Sequence, residues 1–297
     1  MSIHDGGALD PQDQALFAAL QADPRARAIQ LGSVLGMSAP TVSARLRRLI
    51  DGGVIEVIGI VNDHALPAAH TAIALMRGAA ADSLESWRDR QGVIFAAQAI
   101  GTWDSLACII GRHPTDVELH LEELRLVADV VETHTVLSIR VTGLHLQDPV
   151  AIRDDVDRDV ACLLSTDARM TFTALAAALQ IPESTARARA QRLLDGHVVT
   201  PMVVPNPVVF GLTGGAMAIG TTGPVEGLEQ RLGQVPGVIS VLRLQGRYSA
   251  AIEFIAPDAA AILSIREAIV ALPGVRSVDV MTYGDRVIGR WPLPAVD

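Results

Sequence analysis

The sequence predicts an α+β fold written twice: a helix-turn-helix domain followed by a βαββαβ domain, then both again. Two observations carry this. Residues 41–55, TVSARLRRLIDGGVI, recur at 185–199 as TARARAQRLLDGHVV. Within each copy, the apolar period changes from helical to strand-like once the helices end.

At a shift of 144 residues, from 41 to 185, Thr41, Ala44, Arg45, Arg48, Leu49, Asp51, Gly52 and Val54 become Thr185, Ala188, Arg189, Arg192, Leu193, Asp195, Gly196 and Val198. The same shift pairs Asp13 with Asp157, Arg25 with Arg169 and Asn62 with Asn206; one residue further on, Gly101 falls on Gly246. The 297 residues therefore divide into a first helix-turn-helix domain (1–53), a first α/β domain (54–142), a polar linker (143–155), a second helix-turn-helix domain (156–197) and a second α/β domain (198–297).

The elements follow in order. Leu16, Phe17, Ala19 and Leu20 lie at helical spacing after Asp10-Pro11, a cap followed by proline in the first turn. Ala28, Ile29, Leu31 and Leu35 form a second short helix that stops at Gly36. Ser38 is a good N-cap for a third, whose buried stripe is Val42, Leu46, Leu49 and Ile50. VIEVIGIV (54–61) reads as a connector strand. Then come HTAIALM (70–76), a helix at 80–90, VIFAAQAI (93–100), SLACIIG (105–111), an amphipathic helix at 115–128 and VVETHTVLSIRV (130–141). That order is β-α-β-β-α-β, a ferredoxin-like split βαβ, and the second copy repeats it. Gly214-Gly215 reads as a turn leading into its first strand.

Hydrophobic residues make up 49% and charged residues 19%, which supplies a sizeable core and excludes wholesale disorder. An aromatic share of 3% argues against stacked platforms for single-stranded nucleic acid. The net charge of −9 argues against a polyanion-coating surface but leaves a local basic patch open. Every basic residue other than histidine is Arg, suited to bidentate contact with phosphate or guanine, although a GC-rich genome gives the same bias. Cys108 and Cys162 sit in apolar runs and read as small core residues. No secretory leader and no apolar run of membrane length is seen, so a soluble cytoplasmic protein is expected. No zinc spacing, phosphate-cradling GxxxxGK[ST] or GxSxG elbow occurs, so no metal, cofactor or catalytic residue is expected.

Between Arg25 and Arg48 there are five arginines and no carboxylate. Thr41, Arg45 and Arg48 form one stripe of the third helix, flanked by Ser43 and Arg47. The second copy keeps Thr185, Arg189 and Arg192 while its buried stripe becomes Ala186, Ala190 and Leu193. A merely solvated face need not keep its pattern while the core drifts. Arg45 and Arg48 are therefore expected to project outward, toward double-stranded DNA. The expected contacts are Ser38 (cap and phosphate), Thr41, Ser43, Arg45, Arg47 and Arg48, with Thr185, Arg187, Arg189 and Arg192 in the second copy. The second head is expected to bind more weakly or to act as scaffold: Pro182 replaces Ser38, Glu183 is added and Gln191 replaces Arg47.

Taken together, LDPQDQALFAALQADPRAR (9–27), LGSVLGMSAPTVSARLRRLIDGGVIEVIGIVN (31–62) and GTWD (101–104) resemble the Lrp/AsnC (feast/famine) family of transcription regulators. The resemblance covers nearly all of each unit. It implies that the α/β (RAM-type) domains pair, assemble further into homo-oligomers and sense a small effector such as an amino acid. It places that effector near Gly101 and Asp104, with Thr133 and Thr135 in a region the family uses for ligand or assembly contacts. Asp104 would hold an ammonium group or merely cap its turn. In the second copy Gly246 and Tyr248 match, but Ser249 stands where Asp stood. The duplication implies one chain acting as a pseudo-dimer. A competing enzymatic expectation is sirohaem decarboxylation, known on the same architecture. The scattered histidines give it little support. Effector, operator and sign of regulation are not legible.

Overall fold

The computed structural model describes residues 9–62, 65, 70–78, 92–111, 113–126, 128–141, 148–223 and 226–289. The helix expected at 80–90 and part of the linker lie outside them.

In the first head, α1 (Pro11–Ala22), α2 (Ala28–Leu35) and α3 (Ala39–Asp51) form where the apolar spacing placed them. The Asp10 carboxylate accepts the Asp13 N–H (2.8 Å), and the Ser38 hydroxyl accepts the Thr41 N–H (3.2 Å). Gly36 ends α2 in the left-handed region. The second head repeats this with α5 (Asp155–Thr166), α6 (Phe172–Leu179) and α7 (Glu183–Asp195). There Gln180, not glycine, takes the left-handed turn.

The connector strands are not part of the α/β sheets. β1 (Ile55–Val61) pairs antiparallel with β6 (Val199–Pro205), from the other copy, as a two-stranded ribbon. Ile58 faces Met202, its own counterpart in the repeat, so a pseudo-twofold axis passes through that pair. The two heads interlock around it. Ala168 and Val203 complete the first head's core, and Val61 and Ala65 complete the second's.

Strands β2 (His70–Arg77), β3 (Val93–Gly101), β4 (Ser105–Gly111) and β5 (Val130–Val141) make the first α/β sheet, with α4 (Pro114–Arg125) on its outer face. Strands β7 (Thr213–Thr221), β8 (Val238–Gln245), β9 (Ala250–Ala256) and β10 (Val275–Gly289) make the second, with α8 (Leu228–Gly233) and α9 (Ala259–Val270) outside. Gly214 and Gly215 lie within β7 rather than before it; Gly215 lets the Phe254 ring approach its backbone.

The two sheets do not end in free edges. β5 pairs with β8, β10 pairs with β3, and the order β10-β3-β4-β2-β5-β8-β9-β7 closes into a barrel. Its interior is one apolar cluster drawn from both copies, including Ile73, Leu75, Phe95, Leu106, Leu242, Leu244 and Met281. Separated, each half would expose an apolar sheet face and two unpaired edges, a strong drive to associate. The pairing of copies is therefore internal to the chain.

Space inside the barrel is slight. A cavity of about 30 Å³ lies among Ile73, Phe95, Leu106, Leu242 and Met281, room for a water or two. At its side the buried Glu253 carboxylate accepts hydrogen bonds from the Tyr283 hydroxyl (3.0 Å) and the Ser240 hydroxyl (2.9 Å). Cys108, also inside, has its thiol pKa raised by burial and then by Glu253. Among the described residues no helix is long and apolar enough to cross a membrane, and no His/Cys/Asp/Glu group could hold a metal ion.

Candidate nucleic-acid interface and ligand loops

The residues expected to face DNA separate into two kinds. Arg45 does not project freely. Its guanidinium donates to Asp10 (2.7 Å) and Asp13 (2.8 Å), and its side chain is 21% exposed. Arg48 bonds the same Asp13 carboxylate, which is 5% exposed, while remaining 55% exposed itself. In the second head Arg189 and Arg192 close on Asp157, whose side chain is fully buried, and Arg189 also reaches Asp154 at 2.8 Å. This corrects the expectation that Arg45 projects outward, whereas Arg48 stays exposed while paired, and it gives the retained stripe a structural role. The retained partner is the Asp of the first helix, and the four arginines clamp α1 to α3 and α5 to α7. A buried carboxylate must be paired, and that alone holds the pattern while apolar neighbours drift.

The electrostatics agree. Hydrogen bonding to Asp10, then Asp13, raises the pKa of Arg45, and the Arg45 bond lowers that of Asp10. In the second head, bonds to Asp157 and then Asp154 raise Arg189.

Ser38, Thr41, Ser43 and Arg47 are exposed along α3. The hydroxyls of Ser38 and Thr41 bond each other (2.7 Å). On α7 the equivalent face is altered. Glu183 pairs with Arg187 (3.1 Å) and accepts from the Thr173 hydroxyl (2.9 Å), Arg187 lies over the Phe172 ring (4.7 Å), and Thr185 is half-buried.

Two further matched pairs hold the heads to each other. Arg25 donates to the Ala168 carbonyl, and Arg169 donates to those of Pro24 (2.6 Å) and Ala26 (2.9 Å). Asn62 donates to the His197 carbonyl (3.3 Å) and Asn206 to that of Gly53 (3.0 Å). These matches are visible in the sequence, but that they cross from head to head is not.

The expected effector residues fall into two groups at two barrel seams. Gly101 and Asp104 lie where β3 meets β10. One Asp104 oxygen accepts the Gly78 N–H (2.7 Å), so the carboxylate ties its loop to the end of β2 rather than capping its own turn. Thr133 and Thr135 lie on β5, which meets β8 at Thr135–Gln245, next to Gly246 and Tyr248 of the other copy. The structure brings this second set together across copies. Thr135 is exposed and Tyr248 is buried, its hydroxyl bonded to Asp279. Burial, and then Asp279, push the phenol up to about 12.

Sequence reasoning missed His134 at this seam. It is buried, lies 5.1 Å from the Tyr248 ring and bonds Glu132 (3.1 Å), which also meets Arg247 (3.2 Å). Burial lowers its pKa below 6.5, against the opposing pull of Glu132. Between its folded and unfolded values the unfolded chain binds more protons, so stability is full above about pH 6.5 and is lost as pH falls. Urea unfolding between pH 7.5 and 5.5 should show that loss in the parent and not in His134→Gln.

Both seam glycines have positive φ, +147° at Gly101 and +155° at Gly246. A Cβ on Gly101 would overlap the Val280 carbonyl, and one on Gly246 the His134 ring. Gly101→Ala should therefore lower the melting temperature more than Gly246→Ala, because a ring can shift and a paired backbone cannot. Equal effects would contradict that.

This arrangement defines a two-headed helix-turn-helix protein on a closed α/β barrel. A winged helix-turn-helix DNA-binding profile matches residues 9–56 and an AsnC-type helix-turn-helix profile matches 154–194. The chain is 31% identical over 127 residues to HTH-type transcriptional regulator Rv2324 of Mycobacterium tuberculosis, covering 41% of this chain and 86% of that one. The chain belongs to the Lrp/AsnC family: it is a transcription regulator of the AsnC type. Its fold over 96% of its length is also similar to the sirohaem decarboxylase NirDL (TM-score 0.62, 11% identity, 94% of that chain). The same protein complexed with an iron-uroporphyrin III analogue gives a TM-score of 0.61 at 12% identity over the same shares. At such identity the likeness is one of fold.

Proposed function

We propose that this chain is a non-catalytic, effector-responsive regulator that binds duplex DNA as a covalently built dimer. The observation that carries it is the pseudo-twofold axis through Ile58–Met202, which fixes two helix-turn-helix heads to each other. Two rigidly related heads reach two half-sites on one duplex. In the first head Ser38, Thr41, Ser43 and Arg47 make the contacts, with Arg48 reaching phosphate from its pair with Asp13. In the second, the Glu183–Arg187 pair and Gln191 make the contact weaker, so the operator is an unequal pair of half-sites.

The effector, an amino acid or similar small molecule, is assigned to the seam of Thr133, Thr135 and Gly246, where both copies contribute. The two helix-turn-helix profiles and the 31% identical transcriptional regulator support the regulatory reading over decarboxylation. The test is binding to genomic duplex fragments across a salt series. Affinity should fall steeply with salt, and an amino-acid panel should shift it. Binding that ignores salt, or no fragment retained, would contradict the reading.

A further inference from the structure

Between the heads lies a groove of about 590 Å³; the regulatory reading uses its α7 wall (Glu183, Arg187, Gln191) but not the turns of both heads that make the rest. Its walls come from both copies. Arg25 and Arg27 stand on the turn before α2 of the first head. Arg169 and Phe172 stand at the equivalent turn of the second, and Glu183 and Arg187 on its third helix. Four guanidiniums thus share the groove with one carboxylate. The Phe172 ring is flanked by Arg187 (4.7 Å) and, from the other head, by Arg25 (5.6 Å).

These arginines differ from those clamping the helices. Arg25 and Arg169 hydrogen-bond main-chain carbonyls, which bring no negative charge. Burial, then the neighbouring Arg169, lowers the pKa of Arg25, and burial lowers that of Arg169; Asp23 and Asp167 oppose this only through space. Two half-buried cations held side by side without a bonded anion are costly to the fold, and an incoming anion would offset that cost. Arginine forks suit a tetrahedral, doubly accepting oxyanion. The groove also continues onto the exposed face of α7, through Arg187.

We propose that this groove is a phosphate seat, built jointly by Arg25, Arg27 and Arg169 with Arg187, and that Glu183 weakens it. The phosphate comes either from the DNA backbone running past α7 or from a free phosphorylated ligand. In the first case the first head's turn forms part of the second head's DNA surface. The DNA source rests on the function proposed above; the free-ligand source does not.

The experiment uses the full chain, its Arg27→Gln, Arg187→Gln and Glu183→Gln variants, and two probes. In the first arm, unfolding midpoints are compared in sodium pyrophosphate and in sodium chloride of equal ionic strength. In the second, binding to a duplex selected from random sequence is measured against salt. If the seat takes DNA, Arg27→Gln should reduce the slope of log affinity against log salt by about one. Glu183→Gln should tighten binding several-fold. If it takes a free phosphate, pyrophosphate should raise the parent's midpoint and not that of Arg27→Gln or Arg187→Gln, with the salt slope unchanged. Equal pyrophosphate shifts in all chains together with unchanged slopes would overturn the proposal and leave the regulatory reading standing. A parent that binds no selected duplex would defeat that reading instead, and the pyrophosphate arm alone would then decide the seat. Arg27 is exposed, so its variant should match the parent's midpoint without ligand.

Discussion

Asp157→Ala should destabilise the second head by about 3 kcal/mol, near the low end for removing one partner of a buried ion pair. The Asp157 side chain is fully buried and receives three donors: Arg189 (2.8 Å), Arg192 and the Arg153 N–H (2.8 Å). Without it, two guanidiniums face each other and the Arg153 N–H loses its acceptor. The partners are 27% and 19% exposed, so water relieves part of the damage. Asp13→Ala should cost less, about 2 kcal/mol by the same reasoning, because Arg48 is 55% exposed and turns to solvent easily. Urea unfolding followed by helical circular dichroism measures both. A loss under about 1 kcal/mol for Asp157→Ala, typical of exposed pairs, would show the clamp to be a surface ornament.

The second large effect separates reading from holding. Arg47→Ala should weaken DNA binding by roughly tenfold to a hundredfold, the worth of one good base or phosphate contact, and leave the melting temperature unchanged. Arg45→Ala should lower affinity and melting temperature together, because it frees the carboxylates of Asp10 and Asp13. The two residues are adjacent in pattern and opposite in role. Arg47 is exposed on α3, whereas Arg45 is folded back on α1. Anisotropy titrations beside thermal melts of the two variants make the comparison. If Arg47→Ala melted early, or if Arg45→Ala lost affinity alone, the assignment would be reversed.

The contrast shows what the sequence could and could not reveal. Element type was legible in the described heads and strands apart from Gly214-Gly215, which are strand rather than turn, because helical spacing and caps such as Ser38 and Asp10 are local signals. The repeat was legible too, and with it the matched Asp13/Asp157, Arg25/Arg169 and Asn62/Asn206. What those matches do was not, because each acts on a partner distant in sequence: Asp13 on Arg45, Arg169 on Pro24, Asn206 on Gly53. A conserved-looking basic stripe reads alike whether it faces phosphate or a buried carboxylate. The barrel was hidden for the same reason. Its closing pairs, β5 with β8 and β10 with β3, join strands of different copies. His134 gave no sign of its place either, since alternation along β5 says nothing about what lies across the seam.

Hydroxyl-radical footprinting of one chain per selected duplex tests the central claim most directly. Two protected tracts of unequal strength, their centres one or a whole number of helical turns apart, about 10.5 base pairs each, are expected. One isolated tract per chain, or two equal tracts that appear only when a second chain is added, would contradict a dimer of reading heads built into a single polypeptide.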